Sequence, residues 1–150
     1  MRALVPVSLF LMLLASSAAA DSGLISKKSA HSVGETVSRL EKAAKEDGLV
    51  VFARIDHAAG ARSVGQTLRP TELLVFGNPK PGTPLMQSNQ AIGIDLPLKA
   101  LAFEDERREV WLIYNAPAHL ATRHGITDRA AVVDAMTKAL DRLTDIASRP

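Results

Sequence analysis

The stretch Val110-Trp111-Leu112-Ile113-Tyr114 decides the fold class, because it is an uninterrupted run of large apolar and aromatic residues. Neighbouring side chains of a β-strand point to opposite faces of the sheet, so this strand is apolar on both faces. Val50-Val51-Phe52 and Leu73-Leu74-Val75-Phe76 repeat the pattern. A sheet with one face in water shows alternating apolar and polar residues instead. We therefore expect both faces to be covered, by helices, by a partner subunit or by an apolar ligand.

The stretch at residues 110–114 is one of four strands that the sequence predicts. Branched and aromatic residues predict strands at residues 49–55, 72–76, 98–103 and 110–114. Gly77-Asn78-Pro79 ends the second strand. The charged run at residues 104–109 predicts a solvated hairpin between the last two.

Two long helices are predicted, one at each end of the domain. Ser32-Val33-Gly34-Glu35 fits a capping box, and Gly48 is suited to end the helix that follows. The last helix is predicted from about Thr127. The residues at helical spacing are Val33, Val37, Leu40 and Ala44 in the first helix, and Val132 or Val133, Met136, Leu140, Leu143 and Ile146 in the last. Short helices are expected at residues 58–62, 83–90 and 117–124.

These elements predict an α+β domain. We expect a single four-stranded sheet, mainly antiparallel, packed against two long helices with short helices in the connections. Two helices cover one face of such a sheet, so the second apolar face predicts a homodimer. The domain is expected over residues 32–150, after a flexible segment at residues 21–31.

The N-terminus has the pattern of a secretory signal peptide. Arg2 gives a positive start, an apolar run covers residues 4–15, and Ala18 and Ala20 are small residues where a signal peptidase reads. We expect cleavage near Ala20-Asp21 and an exported (periplasmic or secreted) product, because the apolar run is shorter than the roughly 20 residues that span a bilayer. No later stretch of sequence is long enough to span one, so no stable membrane insertion is expected after cleavage.

Composition excludes several classes of function. The chain has 18 Lys and Arg against 16 Asp and Glu, a net charge of +2, and no basic stripe, so nucleic-acid binding is not expected. The absence of cysteine excludes disulfides, zinc–thiolate sites and thiol nucleophiles. No sequence signature indicates a cofactor.

Several blocks of sequence occur together in a characteristic order. They are Ile55-Asp56-His57-Ala58-Ala59, Leu73-Leu74-Val75-Phe76-Gly77-Asn78-Pro79-Lys80 with Gly82-Thr83-Pro84-Leu85-Met86, Asp95-Leu96-Pro97-Leu98-Lys99, Val110-Trp111 with Tyr114-Asn115, and Leu120-Ala121 with Arg123-His124-Gly125. Over residues 33–146 the chain resembles the Domain of Unknown Function 302 family. The resemblance implies a small α+β domain compatible with a dimer, and no established activity, cofactor or catalytic residue. Residues 104–109 lack the glycine that many relatives have there.

His57 is the candidate catalytic acid or base, because histidine titrates near neutral pH and Asp56 is adjacent. The alternative is that Asp56 caps the following helical turn and His57 packs against it. Tyr114 is the second catalytic candidate, since it ends a strand and is expected at the same end of the sheet as His57. The alternative is that Tyr114 lies at the edge of the core. In this hypothesis Asn78 and Thr83 lie nearby.

The segment Gly77-Asn78-Pro79-Lys80-Pro81-Gly82-Thr83-Pro84 is a candidate ligand-binding loop. It is not a P-loop, because no lysine follows its second glycine and two prolines lack the amides that cradle phosphate. Thr83 and Lys80 are candidates for contacting an anionic group at the start of a helix. The alternative is a rigid structural turn.

Metal binding is a third hypothesis, with His57 and His124 as ligands. His119 and His124 lie five residues apart, about 140° around a helix, and do not share a metal on one helix. Asp95 is expected to accept local backbone amides in a turn, or to join a ligand-binding site. No regular ligand spacing supports a metal site.

The leading functional prediction is an exported, non-catalytic binding or assembly module that forms a homodimer, with a small-molecule ligand as an additional partner. A small enzyme that uses His57 and a metal-binding protein are the alternatives.

Overall fold

The computed structural model describes residues 22–150, and the expected signal peptide at residues 1–20 lies outside the described residues. Within them the strands are β1 (Leu24–Ser29), β2 (Val50–Asp56), β3 (Thr71–Gly77), β4 (Leu98–Glu104) and β5 (Val110–Asn115). The helices are α1 (Val33–Glu46), α2 (His57–Ser63), α3 (Pro79–Ser88), α4 (Pro117–Arg123) and α5 (Ala130–Ser148), with a 3-10 helix at Gln90–Ile94. In this part of the chain, no helix is long and apolar enough to cross a membrane.

The strands form one antiparallel sheet in the order β1-β5-β4-β3-β2. The expected α+β class is confirmed, but the sheet has five strands instead of four. The additional strand, β1, lies in the segment that we expected to be flexible. Its pairing partner β5 is more than 80 residues away in the sequence. Its polar sequence Ser26-Lys27-Lys28-Ser29 lacks the apolar alternation that predicts a strand. Lysines are typical of an edge strand, where they discourage pairing with other chains.

The core lies on one face of the sheet, beneath α1 and α5. On β3, β4 and β5 the side chains of this face have even residue numbers, and the two helices add their apolar stripes. The strand residues of this face that are almost fully buried are Leu74, Phe76, Ala100, Ala102, Leu112 and Tyr114. The core cluster consists of Val33, Val37, Leu40, Ala43, Ala44, Leu74, Phe76, Ala100, Ala102, Leu112, Tyr114, Leu140, Leu143 and Ala147.

The first long helix follows the sequence prediction closely. Ser32 accepts a hydrogen bond from Glu35 N at 3.3 Å, which satisfies one of the free amides of the first turn. Gly48 follows the helix with φ +77°, a conformation that glycine adopts without steric cost. Local capping chemistry therefore sets both ends of α1.

The apolar face of α5 differs from the prediction at its C-terminal end. Ile146, which we expected on the buried face, is 47% exposed. Ala147, four residues after Leu143, is the buried residue instead. The helix rests on α1 and β1, and this close packing selects the small side chain. The helix also begins at Ala130, three residues later than expected.

The segment after β3 is a helix rather than a loop. We expected a helix from Thr83, but α3 begins at Pro79, where proline occupies the first helical position and Asn78 accepts a hydrogen bond from Lys80 N at 2.8 Å. Thr83 is therefore an exposed residue within α3, away from its N-terminus.

The hairpin between β4 and β5 is organised by Asp105. Its carboxylate accepts hydrogen bonds from Arg107 N, Glu109 N and Trp111 Nε1 at 2.8 to 3.0 Å. These bonds, with that from Glu109 N first among them, hold the pKa of Asp105 below its usual value. Arg108 adopts φ +65°, the left-handed conformation for which a glycine would be expected.

Candidate functional site

An apolar cleft of about 600 Å³ opens between α3, α5 and the sheet. Its floor consists of Phe76, Leu140 and Leu143, each at most 2% exposed. Ala135 and Ala139 of α5 line one wall, and their small side chains leave the space that larger residues would fill. The cleft lies beside both the main core and the smaller cluster formed by α3, α4, the 3-10 helix and Met136 of α5, and Leu98 contacts both clusters.

A β-bulge shapes the mouth of the cleft. The β2–β3 register shifts between Val51 and Ala53, which leaves Phe52 without a partner in the ladder. Phe52 lines the cleft and is 57% exposed, which is unusual for a phenylalanine. The bulge therefore holds a large aromatic side chain at the entrance.

Polar side chains are sparse in the cleft. Asp47 and Asn78 line it, together with sixteen apolar residues and glycines. Asp47 is paired with Arg142, whose Nη2 lies 2.8 Å from both carboxylate oxygens, and Asn78 Oδ1 caps α3. The lining thus presents a neutral, mainly hydrocarbon surface, with no histidine for acid–base chemistry.

The structure separates His57 from the other candidate residues. His57 is exposed at the start of α2, directly after β2, and Asp56 Oδ1 accepts a hydrogen bond from Ala59 N at 2.8 Å. Asp56 therefore caps α2, as the alternative predicted, but His57 is exposed and does not pack against the turn as that alternative also predicted. Because β2 and β3 are antiparallel, His57 lies beside the start of β3, and Asn78 follows its end. Six residues of strand separate the two ends by roughly 20 Å.

Tyr114 lies in the row of Leu74, the middle residue of β3, about three residues along the strands from His57, so our expectation that they share one end of the sheet was wrong. Tyr114 pairs with Ala100 and Ile25. Its side chain is 3% exposed, within the core cluster and outside the cleft lining. The sequence shows where a strand ends but not at which edge of the sheet that end lies, because antiparallel pairing reverses every second strand. The proposed arrangement of His57 with Asn78, Thr83 and Tyr114 is not formed.

Asp95 and His124 come together, although the sequence did not predict this pair. His124 Nε2 lies 2.6 Å from Asp95 Oδ2, and both side chains are nearly buried. Arg123 Nη1 contacts Asp95 Oδ1 at 3.4 Å, and Asn89 Nδ2 donates to His124 O at 2.7 Å. Asp95 therefore binds the end of α4 instead of local backbone amides. The contacts fasten α4 to the segment that leads into β4.

The proposed histidine metal site is not formed. Asp95 lies just before β4, whose first residue Leu98 pairs with Phe76 near the end of β3, so His124 is at the far end of the sheet from His57. Throughout residues 22–150, no three His, Asp or Glu side chains are grouped so that they could hold a metal ion.

The second face of the sheet, which we call the outer face, is apolar and open. The pairings put Ile55, Leu73, Leu101 and Ile113 in one row across β2 to β5, and Phe103 beside Trp111 in the next. Ile55 is 41% exposed, and the others keep part of their surface in solvent. The core cluster beneath α1 and α5 uses the opposite face, and the seven-residue helix α2 is too short to cover five strands.

Comparison with known proteins gives one family and one fold. The model of the family "Domain of unknown function DUF302" matches residues 25–143. A crystal structure of the uncharacterized conserved protein DUF302 from Bacillus stearothermophilus superposes with a TM-score of 0.75 at 18% identity. The superposition covers 84% of this chain and 98% of that one. At this identity the match establishes the shared fold.

Curated relatives are longer proteins. The fluoride-specific ion channel FluC 1 of Brucella suis biovar 1 (strain 1330) is 54% identical over 106 residues, which are 71% of this chain and 42% of that protein. The fluoride-specific ion channel FluC 2 of Brucella melitensis biotype 1 has the same identity over 106 residues, 39% of its length. The chain thus spans about two fifths of these relatives.

The sequence analysis did not predict the cleft, and it did not identify which residues form the outer face. The cleft is lined from β2, α3, the segment before β4, and α5, so no short motif marks it. The outer face was visible only as strands apolar on both sides, and the sequence could not say which side the helices would cover.

Proposed function

Because this chain belongs to the DUF302 family of domains of unknown function, we propose from its geometry that it is an exported, non-catalytic assembly module that forms a homodimer. The open, apolar outer face of the sheet is the observation that carries the proposal. The separation of His57 from Tyr114 and Asn78 removes the constellation on which the enzyme alternative depended.

The dimensions of the outer face suit a dimer interface. Five strands about 4.8 Å apart, each about 20 Å long, present nearly 500 Å² in projection. Protruding side chains enlarge the accessible area, and a standard interface buries about 800 Å² per partner. Two such faces can pack about 10 Å apart, as the sheets of a β-sandwich do. The outer face is therefore large enough for most of an interface.

The energetic gain from covering the face is moderate for each residue and large in sum. Complete burial of a large apolar side chain contributes about 1.5–3 kcal/mol. Ile113, Trp111 and their neighbours are already half-buried, so each would contribute a fraction of that amount. Because the patch joins four strands, these fractions add over one continuous surface, which favours self-association over exposure to water.

Light scattering on the purified protein at about 100 µM tests the dimer. We expect twice the monomer mass for the native chain and the monomer mass for Ile113→Lys, because a lysine in the centre of the interface would bury a charge. Val64→Lys is the control, since Val64 is 71% exposed and lies outside the sheet. Circular dichroism would check that each variant folds. A monomeric native chain, or a dimeric Ile113→Lys variant, would refute the proposal.

Export is the second part of the proposal. Arg2, the apolar run and Ala18-x-Ala20 support cleavage after Ala20. Expression of the full chain in a Gram-negative bacterium, followed by fractionation and mass measurement, should give a periplasmic or secreted product that begins at Asp21. A cytoplasmic product of full mass would contradict export.

The similarity to channel proteins supports a second candidate function. Most of the 106 matched residues lie in the described part of this chain, where no helix is long and apolar enough to cross a membrane. We propose that the domain associates with a fluoride channel as a module outside the membrane. Co-expression with a bacterial fluoride channel, affinity purification of the channel and fluoride efflux from vesicles would test this. Co-purification with an altered efflux rate supports association, whereas absence of the chain from the purified channel contradicts it.

A further inference from the structure

The geometry points to a binding site for a small hydrocarbon-rich molecule in the cleft between α3 and α5. The cleft volume of about 600 Å³ is within the range of about 300–1,000 Å³ typical of small-molecule sites. The floor reaches side chains that are almost completely buried, Phe76, Leu140 and Leu143. A ligand that reached this floor would contact the main core directly.

The cleft is too small for a helix of several turns and too apolar for an extended peptide. One turn of helix with side chains, about 10 Å wide and 5.4 Å long, occupies roughly 400 Å³, so the cleft would hold about one and a half turns. An extended peptide would bring backbone amides into a lining whose polar side chains are Asp47 and Asn78. Each unpaired buried amide is unfavourable, so the lining selects against a peptide chain.

The electrostatics of the cleft select an uncharged ligand. Asp47 and Arg142 neutralise each other at the rim, and the amide oxygen of Asn78 already caps α3. A charged group would lose its hydration without gaining a partner. The chemical class that fits is a hydrocarbon chain or ring system with at most one uncharged polar group.

The walls of the cleft can adapt to such a ligand. Met86 and Met136 line it on opposite elements, α3 and α5, and methionine side chains adjust to irregular apolar shapes. The bulge holds Phe52 exposed at the mouth, where a bound hydrocarbon would cover part of the ring. These features are on the helix side of the sheet, so the site is independent of the proposed dimer face.

Fluorescence titration of the purified protein with N-phenyl-1-naphthylamine tests the site. This probe is an uncharged aromatic compound whose one polar group is a secondary amine. We expect saturable binding to the native chain and at least a tenfold weaker affinity for Ala135→Trp, since Ala135 is exposed on the cleft wall and an indole would fill the space. Ala139→Leu, a smaller obstruction on the same wall, should weaken binding to a lesser degree.

Two controls separate the cleft from other apolar surfaces. Lys138→Trp places the same indole side chain on α5 at an exposed residue outside the cleft lining and should bind the probe like the native chain. Ile113→Lys alters the outer face and should also leave the affinity unchanged, whether or not the protein dimerises. Absence of saturable binding, equal affinities for Ala135→Trp and Lys138→Trp, or loss of binding in Ile113→Lys would overturn the cleft site.

Discussion

Tyr114 has a buried hydroxyl that the core does not use. Within residues 22–150, no hydrogen-bond donor or acceptor is paired with Tyr114 Oη. A buried polar group without a partner is unfavourable by about 1–3 kcal/mol. At the residue scale, we therefore expect the Tyr114 hydroxyl to reduce the stability of the core.

Tyr114→Phe should stabilise the fold by about 1 kcal/mol, because it removes the unpaired hydroxyl and keeps the ring. Thr36→Val is the contrasting control, since Thr36 Oγ1 donates to Ser32 O at 2.8 Å and pairs with Ser29 Oγ at 2.6 Å. Its removal should destabilise the protein by about 1–2 kcal/mol. Urea unfolding measures both changes. A clear loss of stability in Tyr114→Phe would show that the hydroxyl has a partner in solution.

Arg108 is strained by its left-handed backbone conformation, so Arg108→Gly should stabilise the hairpin. We expect the free energy of unfolding to rise by about 0.5–1 kcal/mol. Glycine removes the steric cost of a side chain at positive φ, but its greater backbone entropy in the unfolded chain offsets part of that gain. Arg107→Gly is the matched control and should lower the free energy of unfolding. Thermal unfolding distinguishes the two, and equal effects would contradict the strain.

At the scale of elements, one lysine attaches the edge strand to the last helix. Lys27 Nζ lies 2.6 Å from Asp141 Oδ1 and 2.7 Å from Asp145 Oδ1. Burial lowers the pKa of Lys27, but the hydrogen bonds to the two carboxylates outweigh it and raise the pKa overall. The hydrogen bond from Lys27 also holds the pKa of Asp145 below its ordinary 3.8. The polar sequence of β1 is therefore compatible with a packed strand.

The attachment of β1 should weaken in acid. A carboxyl with a lowered folded pKa contributes stability above its unfolded value of 3.8, and the contribution is lost as the pH falls through the folded pKa. Lys27→Met removes the partner, so its stability should fall less steeply than that of the native chain below pH about 4. At neutral pH the variant should lose about 1 kcal/mol. Urea unfolding at several pH values tests this, and parallel pH profiles would contradict it.

At the scale of the molecule, the sheet separates two surfaces of different character. The helix side contains the cleft, which is concave and suited to a small hydrocarbon. The other side is the outer face, which is broad and suited to a second copy of the chain. Because the two surfaces share no lining residue, a variant of one should leave the other intact.

Dimerisation should make thermal stability depend on concentration. Mass action stabilises a dimer by about 1.4 kcal/mol for each tenfold rise in protein concentration, which is about 3 °C in Tm for two domains of this size. We expect this shift for the native chain and none for Ile113→Lys. Differential scanning calorimetry from 5 to 500 µM, as test concentrations, measures it. A Tm independent of concentration in the native chain would contradict the dimer.

The sequence by itself determined the features that depend on neighbouring residues. The cap at Ser32, the turn at Gly48, the four apolar strands and the helical spacing of Leu140 and Leu143 follow from local hydrogen bonding and periodicity. These local features also established the α+β class, and the sequence blocks pointed to the family.

Only the tertiary structure decided the features that depend on distant pairing. It added β1 to the sheet through β5, placed Tyr114 away from the end of the sheet where His57 lies, joined Asp95 to His124, and opened the cleft between segments far apart in the chain. The physical reason is that strand direction and the choice of covered face are settled by contacts between residues far apart in sequence. Local propensity is the same for either direction and either face.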